Sequence, residues 1–130
     1  MSVVTATIPA RAELVHVLRT VVAAVGARLD LPYDALDDLR MVVDEACSAL
    51  LAIPVPVETL TMRLTAGDER LEVMVCSDAA EAAWPRPDLD RSLARKVIDG
   101  LTDEARFETL PEGPAVRAVK RVPGMGTAGP

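Results

Sequence analysis

LRMVVDEACSALL, residues 39–51, decides how this chain is read. Leu39, Val43, Cys47 and Leu50 recur at the spacing of one helix face, and Leu36 extends the stripe one turn upstream. The segment therefore reads as an amphipathic helix laid on a core. Two adjacent carboxylates, Asp44 and Glu45, interrupt the apolar run, and Ala49 stands one turn beyond Glu45 on the same face. Asp34, two residues after Pro32, is the expected N-cap. The run Ile53-Pro54-Val55-Pro56 ends the helix.

Working outward, residues 3–8 alternate β-branched and small side chains, a first strand closed by Pro9. Leu14, Leu18, Val21, Val22, Val25 and Leu29 mark a first helix over residues 12–29, which leaves Val17, Arg19 and Thr20 toward its flanks and Arg19 free on an outer face. Downstream, Leu60, Met62 and Leu64, then Leu71, Val73 and Val75, alternate as an antiparallel hairpin turning at Ala66-Gly67-Asp68. SDAAEAAWPRPD, residues 77–88, is a loop by its two prolines. Leu89, Leu93, Val97, Ile98 and Leu101 define a third helix. Phe107 lies in a short strand, Pro111-Glu112-Gly113-Pro114 turns, and residues 116–122 form the last strand. The order β-α-α-β-β-α-β-β predicts an α/β (α+β) two-layer sandwich: one mixed, mostly antiparallel sheet covered on one face by three helices. Residues 1–122 are expected as one domain, and residues 123–130 as a disordered Gly/Pro tail.

Composition narrows the function. The chain has 130 residues, 50% hydrophobic and 26% charged, a globular balance with enough length for a core. Tyr33, Trp84 and Phe107 are its only aromatics, so Val, Leu and Ala must build the core, with Met41, Met62 and Met74 as filler. A net charge of −6 and the lack of an aromatic platform argue against direct nucleic-acid binding. Cys47 and Cys76 lie on separate apolar segments without CxxC spacing and are expected as buried free thiols. His16 is the lone histidine, so no metal constellation is present, and Ser48 and Ser92 have no base at useful spacing for nucleophilic chemistry. The first residues lack a basic region followed by an apolar run, and no stretch approaches the roughly 20 apolar residues of a membrane span. A cytoplasmic protein with no membrane contact is expected.

LRMVVDEACSALL resembles the N-box of anti-sigma factors with serine-protein kinase activity, a family within the GHKL (histidine-kinase-like) ATPases. The flanks IPARAELVHVLRTVVAAVGARLDL and LARKVIDGLTDEARFE agree, and the similarity runs from Val4 to Val122. The resemblance implies a glutamate acting as general base on a hydroxyl, and an asparagine four residues later that holds Mg²⁺ against ATP. Glu45 matches the glutamate, and Ala49 replaces the asparagine. The family's first glycine box corresponds to Asp78-Ala79-Ala80-Glu81-Ala82: Asp78 stands for the adenine-recognising aspartate, and both glycines are alanine. Where a phosphate-cradling glycine box should precede the third helix, DLDRSLARKV has no glycine and adds Asp88 and Asp90. Three elements of the nucleotide site are altered.

The resemblance therefore implies a stress-response anti-sigma factor with Glu45 as a vestigial catalytic residue, Glu45 and Asp78 as what remains of the nucleotide site, no metal ligand and no cofactor. The alternative is an active serine kinase using ATP and Mg²⁺. The implied partners are an alternative sigma factor, an anti-anti-sigma protein of the STAS type, and a second copy of the chain in a homodimer. Arg19 corresponds to a first-helix arginine that contacts both kinds of protein partner. A scaffold bound only to a STAS protein stays open as a third reading.

Overall fold

The computed structural model describes residues 2–79 and 83–125. In chain order it contains β1 (Ser2–Pro9), α1 (Val15–Arg28), α2 (Tyr33–Leu51), β2 (Thr59–Gly67), β3 (Arg70–Ser77), α3 (Leu93–Leu101), β4 (Glu104–Leu110) and β5 (Gly113–Arg121). Single 3₁₀ turns at Ala12–Leu14 and Leu89–Arg91 lead into α1 and α3. The strands form one sheet in the order β1-β2-β3-β5-β4.

Every pairing in that sheet is antiparallel, so it is not mixed as expected. The helix count explains this. Two helices cross the sheet between β1 and β2, which returns the chain running opposite to β1. One helix separates β3 from β4, so those two strands run the same way, but β5 lies between them. The α+β sandwich is otherwise as read from the sequence: α2 lies over β3 and β5, with α1 on the β1 side and α3 reaching β4.

The core lies between the helices and one sheet face. Leu18 and Val22 of α1, Leu39, Val42, Val43, Ala46, Cys47 and Leu50 of α2, and Ile98 of α3 meet Leu60, Met62, Leu64, Leu71, Val73, Val75, Phe107, Val116 and Ala118. A small cluster of Met74, Cys76 and Ala115 packs on the opposite face, with Leu110 against it.

Local details depart from the sequence reading for physical reasons. Helix α2 begins two residues earlier than a cap at Asp34 requires: Pro32 is the N-cap, and Asp34 adds its charge to the first turn instead. The hairpin turns at Asp68 and Glu69, with Gly67 paired to Arg70 and Glu69 in the left-handed region at φ 50°. Leu93 is 70% exposed, because α3 starts there and Leu89 belongs to a separate turn; Ala94 and Ile98 carry the burial. Met41 faces outward on α2, whereas Met62 and Met74 are buried. Of residues 123–130, those at 123–125 are placed: Met125 is buried in the main core, and the Gly124 N–H donates to Glu69 Oε1 at 3.1 Å. Residues 126–130, in the segment read as a tail, lie outside the described residues.

Candidate functional site

Glu45, Ser48 and Ala49 share one face of α2 and, with Ala52 just past its end, form the wall of a cleft of about 400 Å³. Trp84, Arg86, Asp88 and Leu89 form a strap across it, and Ser92, Leu93 and Ala94 at the start of α3 close the far side. The i, i+4 spacing of Glu45 and Ala49 thus does what the sequence implied: it turns both into one pocket. Among the described residues the Glu45 carboxylate has no hydrogen bond or ion pair.

The strap is tied at several points. The Trp84 indole N–H donates to the Ala115 carbonyl at 3.1 Å, and the Thr109 hydroxyl donates to the Trp84 carbonyl at 3.4 Å. Arg86 donates to the Ala52 carbonyl at 3.1 Å, just past the C-terminal end of α2, and its Nε lies 3.6 Å from Asp88 Oδ1. Trp84 also lies 6.0 Å from Phe107, ring centroid to centroid, and the Arg95 guanidinium sits 4.8 Å above the Phe107 ring. The sequence assigned Trp84 and Arg86 no function; the signal available was WPRP, whose two prolines restrict the backbone of the segment.

Asp78 does not line this cleft. On β3 the residues facing the helices are Leu71, Val73, Val75 and Ser77, so Asp78 falls on the other side. Its Oδ1 accepts the backbone N–H groups of Glu58 and Thr59 at 2.9 and 3.2 Å, and it borders a shallow depression with Thr59, Thr61, Arg63, Met74 and Cys76. Partial burial opposes its charge, but the donated N–H groups hold its carboxyl below the usual carboxylate range. The inward position at the end of β3 belongs to Ser77, the one buried polar residue among those described, whose hydroxyl takes the Ala79 N–H at 3.3 Å. Gly113, at φ 147°, makes room beside it; a Cβ there would collide with the Ser77 carbonyl oxygen. Asp78 therefore caps the start of β2 and does not line the cleft with Glu45. Ala80, Glu81 and Ala82 of the altered glycine box lie outside the described residues.

Arg19 is not the free surface cation that the helix pattern suggested. Its Nε lies 3.2 Å from Asp44 Oδ1 and its guanidinium donates to Oδ2 at 3.4 Å, linking α1 to the helix that carries Glu45. The two adjacent carboxylates therefore divide their work: Asp44 faces α1, and Glu45 faces the cleft. With His16, Thr20, Ala23, Ala24 and Arg40, Arg19 borders a shallow groove on the outer surface. Cys47, one turn beyond Asp44, is fully buried; burial, and then the Asp44 charge, push its thiol up to about 12 against the opposing pull of Arg19. Both cysteines are buried and free, as expected.

Mg-ATP does not fit the cleft lining. Ala49 offers no oxygen to a metal where the Glu45 face would need one. A triphosphate would meet Glu45 and Asp88, while the one cation in the described lining, Arg86, is already engaged by Ala52 and Asp88. At the α3 N-terminus the Ser92 hydroxyl takes the Arg95 N–H at 3.1 Å, which removes one donor from any phosphate cradle.

Residues 8–120 match the family model described as the histidine kinase-like ATPase domain. Among curated proteins, the chain is similar to the anti-sigma-F factor RsbW of Mycobacterium tuberculosis, 42% identical over 73 residues that cover 56% of this chain and 42% of that protein. It is also similar to a serine-protein kinase RsbW of Bacillus cereus, 30% identical over 108 residues covering 81% and 62% of the two chains. The serine-protein kinase RsbW of Bacillus mycoides is 33% identical over 73 residues, 55% of this chain and 46% of its own. The chain thus spans between about two fifths and three fifths of the length of these relatives.

Proposed function

Because the chain belongs to the histidine kinase-like ATPase domain family and its cleft lacks the fittings for Mg-ATP, we propose that it acts as an anti-sigma factor and not as a kinase. It would hold an alternative sigma factor away from RNA polymerase, and an anti-anti-sigma protein of the STAS type would compete that sigma factor off. The similarity to a protein named anti-sigma-F factor supports the activity. The single observation that carries the choice against catalysis is Ala49, placed in the cleft one turn from Glu45 with no group to hold a metal. A stress-response role, a cytoplasmic site of action and a homodimer belong to the same reading. So does partner contact through Arg19.

The runner-up is an active serine kinase that phosphorylates the STAS antagonist. One observation favours it: Glu45 lines the cleft with no partner among the described residues, as a general base would need.

The test is recovery of the tagged chain from the cells that produce it, identification of the associated proteins, and reconstitution with purified components. A sigma factor bound in a defined ratio and released by a STAS protein is the expected result. A STAS protein bound without any sigma factor would replace this reading by a scaffold. ATP-dependent phosphate transfer to that STAS protein would replace it by the kinase.

A further inference from the structure

We propose that the cleft between α2 and α3 is a seat for an organic cation: a guanidinium or ammonium carried on an apolar stem. This goes beyond the anti-sigma reading and does not depend on it.

Charge selects the class of ligand. Among the described residues the ionisable lining of the cleft is Glu45, Asp88 and Arg86, a net −1 (two carboxylates against one guanidinium). Two helix ends also meet there. The C-terminal end of α2, with no basic residue in its last turn, contributes partial negative charge, and the N-terminal end of α3 contributes partial positive charge. These partial charges are of similar size and oppose one another, so the full charges decide. Arg86 is satisfied by Ala52 and Asp88, whereas Glu45 is left without a partner among the described residues. The unpaired charge in the cleft is therefore negative.

Shape and chemistry agree. A volume of about 400 Å³ falls within the ordinary range of small-ligand sites. Trp84 supplies an aromatic surface of the kind that attracts cations, and the neighbouring Arg95–Phe107 pair, at 4.8 Å, shows that contact already made within this fold. Ala49, Ala52, Leu89, Leu93 and Ala94 give an apolar stem something to lie against, and Leu93 is otherwise a large exposed hydrophobe. Arg86 shows how the chain itself uses the place: its guanidinium reaches back to the end of α2, and its stem forms part of the wall. An arginine or lysine side chain on an apolar protein segment and a free alkylamine share this chemistry.

The full chain, labelled with ¹⁵N, would be titrated with four probes: agmatine, N-acetyl-Leu-Arg-Leu amide, N-acetyl-Leu-Glu-Leu amide and Mg-ATP. Backbone amide shifts and the emission of Trp84, the sole tryptophan, report binding. Saturable shifts on α2 and α3 are expected with the two guanidinium probes alone. Glu45→Gln should weaken them about fivefold, the worth of a half-exposed charge pair, with an unchanged thermal melt. Tighter binding of the tripeptide than of agmatine assigns the natural cation to a protein segment, and the reverse assigns it to a free amine; either supports the seat. The proposal is overturned if no probe shifts these amides saturably, if the glutamate tripeptide or Mg-ATP binds as tightly as the arginine tripeptide, or if Glu45→Gln leaves affinity unchanged.

Discussion

Replacing Arg19 by Ala tests whether the α1 surface holds a partner, and the Asp44 bridge makes the test sharper. Arg19 and Asp44 meet at 3.2 and 3.4 Å with side chains 42% and 40% exposed. Solvent at that exposure screens the pair, so the bridge contributes at most about 1 kcal/mol to folding. Arg19→Ala and Asp44→Asn should each lower the melting temperature by less than about 5 °C. Binding should respond differently. If Arg19 anchors the interface, its loss costs about 1–3 kcal/mol, roughly 5- to 150-fold in affinity for the sigma factor. Asp44→Asn removes an internal carboxylate that competes for the same guanidinium, so it should tighten binding by up to about fivefold, the free energy of the bridge. Fluorescence anisotropy with the sigma factor recovered from the cell, at physiological ionic strength, measures both variants beside their melts. Unchanged affinity in Arg19→Ala with an unchanged melt would remove this arginine from the interface. A loss in Asp44→Asn as large as that in Arg19→Ala would show that Asp44 positions the arginine and does not compete for it.

Other outcomes follow from the cleft and its surroundings. Mg-ATP should bind no tighter than about millimolar, weaker than roughly −4 kcal/mol, by titration calorimetry; micromolar binding abolished by Glu45→Ala would restore the kinase. Ala49→Asn alone should give no phosphate transfer to a STAS protein above background with labelled ATP, since it restores a metal ligand while Glu45, Asp88 and the capped start of α3 still face the phosphates. The depressed Asp78 carboxyl makes stability pH-dependent in a definite direction: its contribution is fully present above the ordinary carboxylate pKa and is lost as pH falls through the lower, folded value. Asp78→Asn should therefore flatten the decline of urea midpoints below about pH 4, and an unchanged acid slope would count against the β2 cap. Cys47, with its thiol pushed up to about 12, should ignore a thiol reagent at neutral pH until denaturant is added; rapid labelling of the native chain at that position would contradict its burial.

What the sequence disclosed, and what it withheld, divides along physical lines. Periodicity revealed α2 and the β2–β3 hairpin because each buries one continuous face, and burial leaves a regular imprint on residue type. Periodicity could not place Leu93. A 3₁₀ turn at Leu89–Arg91 followed by a helix starting at Leu93 reads, as a string of leucines, like one longer helix. The antiparallel sheet was within reach, since counting two helices before β2 and one before β4 fixes strand directions once β5 is known to sit between β3 and β4. That last fact is tertiary.

The site shows the same limit at the scale of one residue. Asp78 sits in the right place along the chain for a nucleotide-recognising aspartate, yet a strand turns successive side chains to opposite faces, so a shift of one residue decides which side of the sheet a carboxylate reaches. The β3 register, with Ser77 opposite Leu60, puts Ser77 inward and leaves Asp78 to accept the Glu58 and Thr59 amides. On α2 the same one-residue step separates Asp44 from Glu45, and there both directions are used: one carboxylate holds Arg19 on α1, and the other opens onto the cleft. Ala49 lines the cleft beside Glu45, whereas Ser77, buried at the end of β3, is not among the residues that line it. Register, and not position along the chain, therefore decides that Asp78 serves the start of β2 while Glu45 serves the cleft.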